Sequence, residues 1–158
     1  MKVVVLQPMY LPWLGYFGLI DIADTFVFYD DVQFVRQTWQ NRNRIKWRNG
    51  GTLWLTVPVQ RAFRQTIAEV IIDNTLQWRN KHLECIKQAY ANAPFFQQYA
   101  PILESLFSRH WDRLADLDTA LIKEITAILG LNQNKFKELS NAVLTAVGNV
   151  FVGIIVVL

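Results

Sequence analysis

Residues 3–34 read VVVLQPMYLPWLGYFGLIDIADTFVFYDDVQF, and they predict a strand, a loop, a helix and a second strand. The stretch begins with a short β-branched apolar run, which is typical of a buried parallel strand. Its two prolines then favour an extended loop, because each lacks an amide hydrogen and restrains the residue before it. Apolar residues at helical spacing follow over residues 13–22, and a second strand follows over residues 25–29. The result is a βαβ unit, whose ligands are expected beyond the carboxyl ends of its strands.

The rest of the chain changes from mixed to helical character. Residues 35–50 predict a loop or irregular ribbon, which the turn residues Asn49-Gly50-Gly51 close. Later segments predict strands at residues 53–59 and 67–72, and helices at about residues 78–91, 94–107 and 111–129. We therefore predict an α/β fold with a Rossmann-like, mainly parallel sheet at the N-terminal end and a helical C-terminal portion.

The C-terminal tail differs from everything before it. Residues 141–158 contain no charged residue, and the chain ends in VFVGIIVVL. A buried strand, a marginal membrane segment and sequence foreign to the fold all fit this pattern. A membrane-spanning helix needs about 20 apolar residues, so membrane insertion is not expected. We predict one domain over residues 1–140 and a tail at residues 141–158 that is foreign to it, through truncation or a frameshift near residue 141.

Composition excludes several classes of protein. Hydrophobic residues make up 52% of the 158-residue chain, which argues against disorder. Its one cysteine, Cys85, excludes a disulfide framework and a multi-cysteine metal site, and we assign no residue to a metal. The first residues lack the pattern of a signal peptide, so a cytoplasmic location is expected. The sequence identifies neither a cofactor nor an oligomeric state.

Basic residues are concentrated in the middle of the chain. The net charge is only +3, yet no acidic residue occurs between Asp31 and Glu69, where seven basic residues do. Six of these seven are arginines, whose guanidinium groups match phosphate and carboxylate with paired hydrogen bonds. The segment therefore predicts a positive field that attracts an anion.

The strongest candidate for ligand binding within this segment is residues 39–44, WQNRNR. In an extended strand, Arg42 and Arg44 share one face with Gln40, and the other three side chains share the opposite face. Arginines can neutralise a diphosphate, amides can read sugar hydroxyls or a base edge, and a tryptophan can stack. We therefore expect a small anionic substrate at this site.

Ionisable side chains elsewhere are candidates for acid–base chemistry. Asp30 and Asp31 end a predicted strand side by side, so one is a candidate for binding an amine or a metal ion while the other caps a turn. His82 follows Lys81 on a predicted helix, and an unperturbed histidine pKa near 6.5 suits proton transfer.

The helix after the first strand opens with Trp13-Leu14-Gly15-Tyr16. Its spacing is similar to the HxGH motif of nucleotidyltransferases, with Trp13 and Tyr16 in place of the two histidines. Gly15 would permit close approach of a ligand to the backbone, and the helix N-terminus would attract a phosphate.

Several sequence motifs of this chain together resemble those of the WbqC-like family, found among proteins of bacterial O-antigen and surface-polysaccharide synthesis. The matching motifs, in order along the chain, are QPxYLPWxGYF from Gln7, FYDDVQF, WQNRNRIK and WLTVPV. A W..KH...I...Y...P.F pattern from Trp78 follows them. The resemblance spans about residues 3–140 and implies transfer of a glycyl or similar acyl group to a nucleotide-linked amino sugar.

On this hypothesis Arg42 and Arg44 hold the diphosphate, while Asp31 or His82 takes the proton from the attacking amine. Trp39, Asn41 and Asn43 hold the sugar or the base. The complete set of predicted substrate-binding residues is Gln7, Tyr10, Trp13, Gly15, Tyr16, Asp30, Gln33, Trp39, Gln40, Asn41, Arg42, Asn43, Arg44 and Lys81.

Two alternatives remain open at the level of sequence. A module that binds single-stranded nucleic acid would use basic residues interleaved with Trp39, Trp47 and Trp54 for phosphate contact and base stacking. A truncated and inactive copy of the family would explain the uncharged tail.

Overall fold

The predicted βαβ unit forms one edge of the molecule. A computed structural model describes residues 1–61, 63–138 and 155–157 of the chain. In it β1 (Val3–Leu6) and β2 (Thr25–Phe28) are parallel and paired in register, and α1 (Leu14–Ile22) connects them. The loop of residues 7–13 therefore follows the carboxyl end of β1, where α/β sheets bind ligands.

Two more strands complete a four-stranded sheet with the order β5-β2-β1-β6. β5 (Phe136–Glu138) is parallel to β2, and β6 (Ile155–Val157) is antiparallel to β1. The predicted α/β class with a mainly parallel N-terminal sheet is confirmed.

A separate antiparallel hairpin forms from the basic segment. β3 (Arg42–Lys46) pairs with β4 (Thr52–Thr56), and a 3-10 turn at Arg48–Gly50 closes it. Asn49 and Gly50 have φ values of 56° and 76°, a left-handed conformation that Asn and Gly adopt at low cost. The second half of the predicted irregular ribbon is therefore a regular strand.

The predicted strand at residues 67–72 is wrong in its first half. Ile67–Glu69 is a 3-10 turn with a capping box, in which Glu69 and Thr66 bond each other's backbone N–H groups. Satisfying these donors locally favours a turn over a strand. Only isolated bridges remain, such as that between Val59 and Ile72.

The described part of the C-terminal portion contains three helices, close to their predicted positions: α2 (Trp78–Tyr90), α3 (Phe96–Ser108) and α4 (Leu114–Ile128). α4 borders two apolar cores. Leu117 and Leu121 pack in the core of the hairpin, α2 and α3, whereas Ile122 packs in the core beneath β1, β2 and α1. This places α4 beneath the junction of the sheet and the hairpin.

The predicted domain boundary near residue 140 falls outside the described residues, and the assignment of the tail stays a prediction. Within the described part of the tail, Ile155 to Val157 form β6 against β1. None of the described helices is long and apolar enough to span a membrane.

Candidate functional site

A cleft of about 780 Å³ lies between β4 and α2. Its size falls within the range of small-molecule sites, about 300–1,000 Å³. Two of the predicted site residues, Lys81 and His82, line it from α2, and Trp54 and Thr56 line it from β4. We refer to this cavity as the cleft.

The backbone of β4 borders the cleft with its outer edge, which pairs with no other strand among the described residues. Asn43 pairs with Leu55, and the N–H of Val57 donates to the carbonyl of Asn41 at 2.8 Å. In an antiparallel pair, alternate residues direct their N–H and C=O groups to the partner strand. The groups of Trp54 and Thr56 therefore face away from β3, on the side of the cleft.

Stacked tryptophans and arginines cover the exposed face of the hairpin, and we name this set the Arg–Trp wall. The guanidinium carbon of Arg42 lies 3.9 Å from the ring centroid of Trp54, and that of Arg44 lies 5.3 Å from it. The rings of Trp39 and Trp54 are 5.7 Å apart and tilted by 34°. Because Trp54 also lines the cleft, the wall extends the cleft with positive charge and two half-exposed rings, which are 43% and 42% exposed.

The position of Trp39 in the Arg–Trp wall shows that one prediction, which placed it on the face opposite Arg44, is wrong. An extended chain would place Trp39 opposite Arg44, but its ring lies 5.9 Å from the Arg44 guanidinium carbon. The chain turns before β3 begins, because the N–H groups of Asn41 and Arg42 both donate to the carbonyl of Thr38. The turn brings the tryptophan onto the arginine face.

His82 is buried where the cleft meets the loop that follows β1. Its Nδ1 lies 2.8 Å from the hydroxyl of Tyr10, which has no exposed surface. The pKa of His82 is lowered to about 4, chiefly by burial, while a hydrogen bond to the Thr56 backbone opposes the shift and the charge of Lys81 adds to it. His82 is therefore neutral at pH 7, with ring hydrogen bonds to both Tyr10 and β4.

The predicted amide ligands Gln40 and Asn41 are buried and bonded within the protein. Gln40 donates to the side-chain oxygen of Gln7 and accepts from the N–H of Val35, both at 2.8 Å. Asn41 donates to the carbonyl of Val57 at 3.0 Å. The bond between Gln40 and Gln7 joins the segment before β3 to the loop after β1, and the bond between Asn41 and Val57 joins the ends of the hairpin's two strands.

Asn43 makes the same kind of connection. Its side-chain N–H₂ group donates to the carbonyl oxygens of Tyr10 and Leu11. The N–H of Tyr10 donates in turn to the carbonyl of Trp39 at 3.0 Å. The loop of residues 7–13 is thereby fastened along the hairpin, with Tyr10 directed at His82.

Gly15 is covered by the side chain of Trp13. A Cβ at Gly15 would lie 2.6 Å from the Trp13 indole nitrogen, so this glycine makes room for the ring. Tyr16 is buried, and its hydroxyl donates to the carbonyl of Gln7 at 3.0 Å. A ligand that approached the Gly15 backbone, as the HxGH analogy predicts, would have to displace the half-exposed indole.

The predicted acidic residues lie elsewhere. Asp30 lines a smaller cavity of about 250 Å³ between the end of β2 and α4, together with Asp116 and Lys123. Asp31 and Gln33 are exposed, and neither is among the described residues that line the cleft. The structure therefore does not bring Asp31 and His82 together.

Asp118 on α4 is an ionisable residue that our sequence analysis missed. It is fully buried, and neither carboxylate oxygen has a hydrogen-bond partner among the described residues. Burial raises the pKa of this carboxyl, and its charge adds to the effect of burial in raising the pKa of Tyr10 and Tyr16. The signal was its helical spacing, since it lies four residues after Leu114 and three before Leu121 on a buried stripe.

Asp118 has no metal-binding neighbours in the described part of the chain, where no group of three or more His, Cys, Asp or Glu side chains is placed to hold a metal ion. A buried carboxyl without partners is costly, and such groups are concentrated at functional sites.

Comparison with known proteins gives a family and a relative. The model of the family described as "WbqC-like protein family" matches residues 7–149. The chain is also 38% identical over 134 residues to the uncharacterized protein Rv1507c of Mycobacterium tuberculosis. That match covers 83% of this chain and 57% of the relative, so the chain spans little more than half of the relative's length. No solved structure matches the chain.

Proposed function

This chain belongs to the WbqC-like protein family, and on that premise we propose that it is a transferase of surface-polysaccharide biosynthesis that binds a nucleotide-linked amino sugar in the cleft. The reaction would be transfer of a glycyl or similar acyl group to the amine of the sugar. The observation that supports this proposal best is the Arg–Trp wall beside a cleft of about 780 Å³.

In this proposal the wall holds the nucleotide. The base stacks on the half-exposed rings of Trp39 and Trp54, and the guanidinium groups of Arg42 and Arg44 bind the diphosphate. The Nε atom of Arg42 is buried without a partner among the described residues, which is a donor that an anionic oxygen would satisfy.

As the amine nitrogen bonds to the acyl carbon, the bond from that carbon to the leaving group of an activated acyl donor would break, and the leaving group would depart with the electron pair. The proton of the attacking amine then needs an acceptor. Of the two predicted acceptors, His82 lines the cleft and is neutral at pH 7. Its Nδ1 is engaged by Tyr10, so a change in that hydrogen bond must accompany uptake of the proton. Comparing His82→Gln with Asp31→Asn for acyl transfer would assign the role.

Calorimetry with nucleotide sugars tests the binding site. We expect the double variant Arg42→Gln/Arg44→Gln to lose binding, because each charge-assisted contact contributes on the order of 1.5–3 kcal/mol. The matched control is Arg61→Gln/Arg64→Gln, which removes the same charge from exposed positions that do not line the cleft. Unchanged affinity in the first variant, at an unchanged melting temperature, would exclude the wall as the nucleotide site.

The same experiment distinguishes nucleotide-sugar binding from the alternative function, binding of single-stranded nucleic acid. The two half-exposed rings also favour this alternative. Nucleic acid would contact many phosphates, so both double variants would weaken binding and affinity would fall steeply with salt. A nucleotide sugar would bind at one saturable site, with little effect of the control variant.

A further inference from the structure

We infer that the N-terminus of α2 forms a phosphate-binding wall of the cleft, opposite the Arg–Trp wall. The inference rests on the proposed function for the identity of the whole ligand, and it adds the position of the phosphoryl groups. They would lie between the two positively charged walls, against Gln77 at the N-cap of α2 and Asn80 and Lys81 in its first turn.

The first turn of α2 has an unusual charge for a helix. It contains Arg79 and Lys81 and no acidic residue, and the Gln77 side chain at the N-cap makes no capping hydrogen bond. The first N–H groups of a helix lack partners within the helix, and the positive end of its dipole favours anions. The two cations at this end are repelled by the positive end of the dipole. A bound anion would offset this repulsion and would accept hydrogen bonds from the first N–H groups.

One cation of this turn is available to a ligand in the cleft and the other is engaged. The guanidinium of Arg79 donates to the carbonyl of Arg109 at 2.8 Å, which ties α2 to the end of α3. Lys81 is exposed and lines the cleft. Glu84 is the one acid among the described lining residues, and it lies 3.8 Å from Lys87 in an ion pair.

Trp78 supplies an independent observation at the same place. It is the first residue of α2 and lines the cleft, yet only 4% of it is exposed. Its indole N–H has no acceptor among the described residues. An indole N–H can only donate, so the missing partner is an acceptor, and phosphoryl oxygens are strong acceptors that need several donors.

A single isosteric substitution tests this placement. Asn80 is the third residue of α2 and is exposed, so Asn80→Asp puts a negative charge where the phosphate would lie. An acid at this position of an ordinary helix stabilises it. The variant should therefore bind pyrophosphate roughly tenfold or more weakly, from repulsion near the helix end, while its melting temperature stays unchanged or rises.

The matched control is Gln98→Glu, which makes the same change at the third residue of α3, another exposed position in a first turn without acids. Pyrophosphate affinity should stay within about twofold of the wild type. In ¹⁵N spectra of the wild type, pyrophosphate should shift the backbone N–H signals of Trp78 to Asn80 and the indole signal of Trp78. An Asn80→Asp affinity equal to that of the wild type, or an equal loss in both variants, would overturn the inference.

The outcomes for the two proposals differ. If pyrophosphate binds and Asn80→Asp weakens its binding, but no nucleotide sugar binds, the result supports the phosphate-binding wall and contradicts the proposed function. Binding of a nucleotide sugar that is lost in Arg42→Gln/Arg44→Gln and unaffected by Asn80→Asp supports the function and overturns the phosphate wall. A wild-type protein that binds neither probe contradicts both.

Discussion

His82 and Asp118 are both buried ionisable side chains, and burial moves their pKa values in opposite directions. Burial penalises the charged form, which is the protonated histidine but the deprotonated aspartate. The pKa of His82 falls to about 4, and that of Asp118 rises. Both groups are therefore neutral over a range of pH, and the hydroxyl of Tyr10 interacts with both of them.

The lowered pKa of His82 predicts a loss of stability in acid. The unfolded chain takes up the proton near pH 6.5, whereas the folded protein does so only near pH 4. The stability from neutral His82 is thus fully present above pH 6.5 and is lost as the pH falls to 4. Relative to His82→Gln, the free energy of unfolding of the wild type should fall by about 3 kcal/mol between pH 7 and pH 4, measured by urea denaturation. A difference that does not change with pH would contradict the burial of a neutral ring.

Asp118 predicts the opposite dependence. Because its folded-state pKa is raised above 3.8, its contribution to stability is fully present below that pH and is lost as the pH rises toward the folded-state value. Asp118→Asn removes this titration and leaves His82 in place, so the effect of His82 cancels in the comparison. The variant should gain stability relative to the wild type as the pH is raised from 4 to 7 in urea denaturation. A constant difference would show that the carboxyl has a partner in solution.

At the scale of elements, the hairpin and the loop after β1 are held together by side-chain amides. Gln40, Asn41 and Asn43 occur in the segment with the strongest ligand-binding composition, yet each bonds to another part of the chain. Their first effect is to hold the Arg–Trp wall at the cleft. Any contact that they make with a ligand remains a prediction.

Asn41→Ala measures this structural role. The substitution leaves the buried carbonyl of Val57 without its donor, and an unsatisfied buried group costs about 1–3 kcal/mol. It also removes the acceptor of the partly exposed Gln37 N–H. We expect a loss of that size in the free energy of unfolding, with nucleotide-sugar affinity of the folded protein retained. Asn132→Ala is the control, because its bond to Asn134 is exposed and its removal should cost less than about 0.5 kcal/mol. Unchanged stability with lost binding would instead make Asn41 a ligand contact.

At the scale of the whole molecule, α4 joins the two cores, and every core residue that the structure describes lies between Val4 and Phe136. The described part of the tail adds only β6, which pairs with one edge of β1. The family match continues past Ser140 to residue 149, while the chain spans little more than half of its relative from Mycobacterium tuberculosis.

A chain that ends at Ser140 tests whether the tail is foreign to the fold. It retains every core residue named above, so we expect a cooperative thermal transition at an unchanged temperature. Removal of an uncharged, Val- and Ile-rich segment should also raise solubility, because such segments promote aggregation. The opposite view treats the tail as core, with about 1.5–3 kcal/mol lost for each large buried side chain. A much lower melting temperature, measured beside the full chain, would support that view.

The sequence by itself determined the features that depend on local pattern. The βαβ unit, the three C-terminal helices and the arginine-rich segment follow from periodicity, turn residues and composition, which act over a few neighbouring residues. The strand predicted at residues 67–72 failed for a related reason, because a capping box at Thr66 and Glu69 outweighed the β-branched apolar pattern.

Only the tertiary structure decided which polar side chains face a ligand. His82 meets Tyr10 from 72 residues away, and Gln40 meets Gln7 from 33, so neither partner is visible in the local sequence. The same holds for Asp118, whose pKa is raised by burial and whose carboxylate has no hydrogen-bond partner in the part of the chain that the structure describes. The free energy of burying a polar group depends on which groups replace its hydrogen bonds to water. Long-range packing alone determines which groups these are.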